Sequence, residues 1–333
     1  MKRHNPCENE FVPRPWARNP HMQTIFASLH FRALGKNEMA DSSEEVIVDG
    51  GNGVRLLGYH SRHPDGTGKA LVLIVHGWEG SSDSTYVRHS GRYLFRHGYD
   101  IFRLNLRDHG ESHHLNEGIF HGALTEETIT AIRNASQRAD TRPFFLVGFS
   151  LGGSFVLRAA LHMKQAPIHD LRHVICISPL LDPYKTILRI DTGPAVYRYY
   201  FVRKWRRSLR KKQELFPHLY DFGDLLHTRD SLKMTEILVN RYTPFRDYRD
   251  YFNHYTLRGN TLTDITVPVT IVVSEDDPVI PVQDFYDIRP NHRLHVIIHR
   301  HGGHCGFLDP FPFGCWYEPQ IHRIIEQYLN HQR

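Results

Sequence analysis

The sequence predicts an α/β protein: a doubly wound, mostly parallel eight-stranded sheet carrying one helical insertion. Three observations predict it. From about residue 45, short apolar and β-branched runs alternate with helix-like windows. One of these strand-to-helix switches carries Gly148-Phe149-Ser150-Leu151-Gly152. The alternation stops once, over 183–261, and then resumes.

In chain order, residues 1–44 read as an irregular N-terminal extension packing on the core. Pro13, Pro15 and Pro20 break any helix ahead of the run Met22-Gln23-Thr24-Ile25-Phe26-Ala27-Ser28-Leu29. Strands are expected at 45–49, 55–60, 70–75, 100–106, 143–147, 173–178, 267–274 and 294–299. Runs such as Leu71-Val72-Leu73-Ile74-Val75 are apolar throughout, as strands buried on both faces are. Helices are expected at 85–97, 124–138, 151–164 and 318–332, giving right-handed crossovers. The core is thus assigned to 45–182 and 262–333. Residues 183–261, rich in Tyr, Arg and Asp, are assigned to a helical lid.

Composition is that of an ordinary globular chain. The 333 residues are 40% hydrophobic and 23% charged, long enough for one large domain plus an insertion. No run of about 18 apolar residues occurs, so no membrane span is expected. The first ten residues have basic side chains but no apolar stretch behind them, which argues against a secretory signal. Cys7, Cys176, Cys305 and Cys315 are scattered without a CxxC pair, so reduced thiols and a cytoplasmic setting are expected. The net charge of +5 is common in soluble enzymes, and no nucleic-acid motif accompanies it.

The Gly-x-Ser-x-Gly stretch has a mechanical meaning. In so tight a turn, side chains two residues either side of the serine would collide, and the serine is pushed out above the sheet. The same turn aims the Leu151 N–H at whatever binds the serine oxygen. A hydroxyl nucleophile needs a base and an acid to orient it, following in the order Ser, Asp or Glu, His. Downstream, Ser274-Glu275-Asp276-Asp277-Pro278 follows one strand, and His301-Gly302-Gly303-His304-Cys305-Gly306-Phe307 follows the next. Carboxylates at the C-terminal end of a strand sit where active sites form in open α/β sheets. After the third strand, His76-Gly77-Trp78-Glu79-Gly80-Ser81 offers the second oxyanion donor. Trp78 N–H is the first choice there and Gly77 the next.

These segments, together with Asn19-Pro20-His21-Met22-Gln23-Thr24 and Asn105-Leu106-Arg107-Asp108-His109-Gly110, resemble the α/β-hydrolase superfamily. More closely they resemble its YheT-like (embryogenesis-associated) hydrolase family, over roughly residues 19–307. The resemblance implies an α/β-hydrolase fold and a cofactor-free serine hydrolase acting on acyl esters, lipid-like ones included. Ser150 would be the nucleophile, His304 the base and Asp277 or Asp276 the acid. Asp277 has the superfamily spacing, three residues past Ser274 and just before Pro278. A thioesterase or perhydrolase would use the same triad, and a catalytically silent lipid-binding protein would have lost part of it. The family usually has Gly at Asp108 and often an aliphatic residue at Trp78, so Trp78 is expected to narrow the acyl side of the pocket.

The remaining features have plainer readings. His301 reads as a surface or strand-end residue, and His76 as packing beneath the oxyanion loop. His109, His113, His114 and His121 lack metal-ligand spacing, so no metal is expected. Cys305 reads as a buried small residue, and His21 as either a packing residue or part of a lid over the site. Along 197–212, Phe201, Val202, Trp205 and Leu209 share a helical face amid basic residues. The favoured reading is a lid helix with solvated charges, some paired to Asp221, Asp224 and Asp230. The alternative is a peripheral contact with anionic membrane.

Overall fold

The N-terminal half of the sheet opens with an antiparallel hairpin, β1 (Ser43–Gly51) on β2 (Val54–Ser61). It continues through β3 (Leu71–Val75), β4 (Asp100–Leu104), β5 (Phe144–Phe149), β6 (Leu171–Ile177), β7 (Val269–Ser274) and β8 (Leu294–His299). This computed structural model describes residues 10–33, 35–165 and 167–330; Cys7 therefore lies outside the described residues. The spatial order is β1-β2-β4-β3-β5-β6-β7-β8. β2 meets β4 antiparallel, and every later pair is parallel.

All eight expected strands form, with ends moved by up to two residues. The expected 143–147 extends to Phe149, which carries the strand to the foot of the serine turn.

Helices cover both faces. Before the sheet come α1 (Pro20–Ser28) and α2 (Glu38–Asp41). The crossovers carry α3 (Thr85–Arg96), α4 (Thr125–Ser136) and α5 (Leu151–Leu161). Between β6 and β7 lie α6 (Pro183–Thr192), α7 (Ala195–Leu215), α8 (Gly223–His227), α9 (Ser231–Tyr242) and α10 (Tyr248–His254). Short α11 (Gln283–Tyr286) follows β7, and α12 (Tyr317–Asn330) closes the chain. No described helix is long and apolar enough to cross a membrane.

Strand pleating divides the core. Leu71, Leu73 and Val75 enter one apolar cluster with residues of α4, α5 and α6; Val72 and Ile74 enter the other with residues of α3 and α12. Complete burial of β3 explains its unbroken apolar sequence.

Pro20 does not break the first helix but starts it. It stands at the first helical position, where a missing N–H costs nothing, and Asn19 Oδ1 accepts from the His21 and Met22 N–H groups.

In α7, Val202, Trp205 and Leu209 turn inward and pack with Ile119, Phe222, Met234 and Leu238. The acids expected to pair with its charges do other work: Asp224 pairs with Arg241, Asp230 caps α9, and Asp221 accepts from Gly223 N–H. Two cations of α7 instead reach acids in the segment after β4. Lys211 meets Glu111 at 2.6 Å, and Lys212 meets Asp108 at 2.9 Å in a buried ion pair.

Candidate active site

At the end of β5 the chain turns through Ser150 at φ 51° and ψ −118°, a conformation that L-residues rarely hold, and enters α5. The turn is that tight because of its glycines. A Cβ on Gly148 would stand 2.5 Å from the carbonyl oxygen of Gly152, and one on Gly152 would run into the carbonyls of Val75 and His76. Ser150 N–H donates to Ile177 O at 2.9 Å, which ties the turn to the neighbouring strand.

The loops after β7 and β8 meet this serine. Ser150 Oγ lies 3.0 Å from His304 Nε2, and His304 Nδ1 lies 2.9 Å from Asp277 Oδ2. With the Nδ1 proton assigned to the Asp277 side, the serine hydroxyl donates to Nε2. Asp277 Oδ1 accepts from the Val279 and Ile280 N–H groups at 2.7 and 2.8 Å, which fixes its carboxylate plane. Asp276 points elsewhere. Its Oδ1 accepts from Gly303 N–H at 2.9 Å, and its Oδ2 lies 3.4 Å from His301 Nδ1. The two alternative residues thus pair with each other and stand apart from Ser150.

Burial alone would push the His304 pKa down. The Asp277 carboxylate, with Cys305 alongside, outweighs burial and holds it well above the ordinary 6.5.

The loop after β3 is pinned on both sides of one peptide. Gly77 N–H donates to the Tyr86 hydroxyl at 2.9 Å, and Glu79 N–H to His109 Nε2 at 3.2 Å. Gly77 is therefore engaged and cannot serve as the second donor without giving up Tyr86. The N–H groups of Trp78 and Leu151 donate to no group among the described residues. His76 braces the loop from below: its Nδ1 meets Gly77 O at 2.7 Å, and its Nε2 accepts from Leu106 N–H.

Trp78 joins two parts of the structure. Its ring stacks on Phe201 at 5.2 Å and meets Trp205 edge-on at 5.2 Å, joining the loop to α7. It stands between two apolar cavities. One, of about 320 Å³, is lined by Ser150, His304, Ile25, Leu29, Tyr197 and Phe201 among others. The second, smaller one lies behind Trp78 and Leu151, against α6 and α10.

Side chains of α1 hold this arrangement, and sequence reasoning assigned no such part to Gln23 and Thr24. Thr24 Oγ accepts from His304 N–H at 2.9 Å while donating to Pro20 O. Gln23, fully buried, spans Ala17 O and Leu308 N–H at 2.7 Å each. His21 Nδ1 meets the Tyr197 hydroxyl at 2.8 Å, joining α1 to α7 beside the cavity. The signals for Gln23 and Thr24 were their polarity inside an otherwise apolar helical run and their place in the Asn19–Thr24 segment that carries the family resemblance.

Asp108 adopts φ 55°, where glycine is the easier residue. Its carboxylate also accepts from Phe120 N–H while meeting Lys212. Burial pushes the Asp108 carboxyl up to about 6 and the Lys212 ammonium down, against their mutual attraction.

The histidines of the 109–121 loop do not converge. His109 faces Arg107 O and Glu79, His113 Nε2 meets Ser208 Oγ, and His121 packs on Phe245 and Tyr251. Cys305 N–H donates to Ser178 Oγ, and the residue is buried beside the base. Elsewhere His89, Cys315 and Glu318 bring donor atoms within 4.8 Å of one another. That group is satisfied internally. His89 meets Glu318 at 2.7 Å, and Arg32 Nη2 sits 3.0 Å from Cys315 Sγ, where a metal cation would be repelled.

The profile described as "Alpha/beta hydrolase family" matches residues 72–313. Escherichia coli K12 YheT, provisionally described as an esterase, is 22% identical over 332 residues, 96% of this chain and 94% of its own length. The monoacylglycerol lipase of Saccharomyces cerevisiae is 21% identical over 78% of this chain and 59% of its own length. Among solved structures, the Pyrococcus furiosus esterase Pf2001 superposes with a TM-score of 0.57 at 15% identity. That match covers 89% of this chain and 97% of the other, a likeness of fold.

Proposed function

The chain belongs to the α/β-hydrolase family, with a YheT-like relative along nearly its whole length, and on that premise we propose that it cleaves acyl esters through Ser150, His304 and Asp277. The observation that carries this reading is the hydrogen-bonded line from Ser150 Oγ through His304 to Asp277, at 3.0 and 2.9 Å.

In the proposed mechanism, His304 Nε2 takes the Ser150 proton as Oγ attacks the ester carbonyl. Asp277 keeps the imidazole in the required tautomer and stabilises the imidazolium that forms. The N–H groups of Leu151 and Trp78 hold the oxyanion. His304 then protonates the departing alcohol, and water activated by the same ring releases the acyl group from Ser150. The balance is simple hydrolysis: ester and water give acid and alcohol.

The apolar lining around Ser150 supports an acyl chain as the bound group, and the yeast relative's name points to a glycerol ester as one class to test. Helices α6 to α10 act in this reading as the lid that sets access.

The test is labelling by a fluorophosphonate together with hydrolysis of p-nitrophenyl esters of rising chain length. Labelling of the native chain and its loss in Ser150→Ala are expected. Folded native protein that takes no label and cleaves no ester would overturn the reading.

A further inference from the structure

Beside the apolar cavity lies a second, polar basin of about 370 Å³. The two share Ser28, Gly80, Ser84, Tyr86, Tyr200 and Lys204 in their walls, which makes the basin the immediate neighbour of the cavity that holds Ser150. Their linings differ: the first is mostly apolar, whereas in the basin charged groups and hydroxyls share the wall with apolar surface.

The basin's acids are mostly matched. Asp108 is paired with Lys212, Glu111 with Lys211, and Asp83 with Arg103 at 3.2 Å and Arg88 at 3.7 Å. Glu79 is the exception: it makes no ion pair among the described residues, and burial pushes its carboxyl up to about 8 against the attraction of Lys204. The cations do not cancel in the same way. Lys204 Nζ donates to a backbone carbonyl, Glu79 O at 2.9 Å, and sits over the Tyr200 ring. Arg207, exposed on the same face of α7, has no carboxylate partner among the described residues.

A hydroxyl adds a donor. Ser84 Oγ accepts from Ser81 N–H and hydrogen-bonds with the Tyr86 hydroxyl, while Ser81 Oγ accepts from Asp83 N–H and donates to no group among the described residues. Two cations without a salt bridge to any described carboxylate, with the Ser81 hydroxyl beside them, suit the three oxygens of a phosphate.

Resting on the esterase reading above, we propose that the basin is a subsite for a phosphate group carried at the polar end of the ester whose acyl part fills the apolar cavity. Lys204 and Arg207 are its counter-charges, and Ser81 its hydroxyl donor. The chemical class is a phosphorylated acyl ester, and the phosphate is recognised without being cleaved.

The test compares decanoyl glycerol with decanoyl glycerol 3-phosphate on the full chain. A preference of about 10-fold in kcat/KM for the phosphorylated ester is expected, carried by KM and weakened by salt. In Arg207→Ala, and more so in Lys204→Ala/Arg207→Ala, that ratio falls toward one. A native enzyme without the preference, or variants that keep it, would overturn the subsite.

A second arm uses Ser150→Ala protein titrated with decyl phosphate and, separately, inorganic phosphate. Tighter binding of decyl phosphate, weakened by Arg207→Ala, supports a tethered phosphate. Equal binding of both ligands points to a free-anion site and overturns it, as does binding of neither. If the native chain hydrolyses no ester at all, the esterase reading fails, and the decyl phosphate titration still decides the basin.

Discussion

His304 N–H donates to the hydroxyl of Thr24 at 2.9 Å, across 280 residues of chain. The loop bearing the proposed base is thereby hung from the first helix. Gly303 makes the approach close: a Cβ there would stand 2.7 Å from Thr24 Oγ. The N-terminal segment is part of the site's scaffold.

Thr24→Val should therefore lower kcat about 10-fold with little effect on KM, because it frees the His304 loop while a side chain of the same shape keeps Thr24's part of the cavity wall. Thr24→Ser, which keeps the hydroxyl, should recover most of the loss. Steady-state kinetics on a p-nitrophenyl ester checks both, and equal losses in the two variants would count against the hydroxyl's role.

The Asp277 carboxylate holds the His304 pKa above 6.5, and a base must be neutral to act. Activity should rise with pH to a plateau, with its midpoint above 6.5, and be lost as pH falls through that value. In Asp277→Asn the burial penalty is no longer opposed. The midpoint should move down, while the plateau rate falls by about 10⁴-fold. Asp276→Asn should leave the midpoint where it is, since that carboxylate faces His301 and Gly303. The pH dependence of kcat/KM in the three proteins distinguishes these cases.

Tyr86 holds the Gly77 N–H, and with it the tilt of the Trp78 peptide. Tyr86→Phe should cost about 10-fold in kcat, less than the 100-fold or more expected when an oxyanion donor itself is lost. Ester hydrolysis set beside fluorophosphonate labelling rate reads this, since both need the oxyanion site. A normal rate in both would exclude Tyr86 as a positioning residue.

Lys212→Met leaves the Asp108 carboxylate buried without its partner, and should destabilise the fold by about 3–5 kcal/mol. Lys212→Met combined with Asp108→Asn removes both charges and should regain much of that. Urea denaturation of the single and double variants measures the difference.

Much of the architecture was readable because it is periodic. β3 is buried on both faces and so is apolar throughout, and the elbow around Ser150 needs Gly148 and Gly152 for reasons confined to five residues. The pairing of α7's charges was misread for the opposite reason. Lys211 and Lys212 reach Glu111 and Asp108, about a hundred residues away, and nothing in the spacing of 197–212 marks those partners. Pro20 was misread because a proline has opposite meanings inside a helix and at its first position, and only the Asn19 cap tells them apart.

From the sequence alone come the strand and helix pattern, the strained turn at Ser150, and the loops that carry an acid and a histidine in the order this fold requires. Those are local properties of backbone sterics and burial period. The tertiary structure decided which carboxylate faces His304, which N–H after β3 is left open, and what holds each in position. These depend on side-chain direction and on contacts such as Thr24 with His304 and Gly77 with Tyr86, whose geometry exists only once the distant segments have packed.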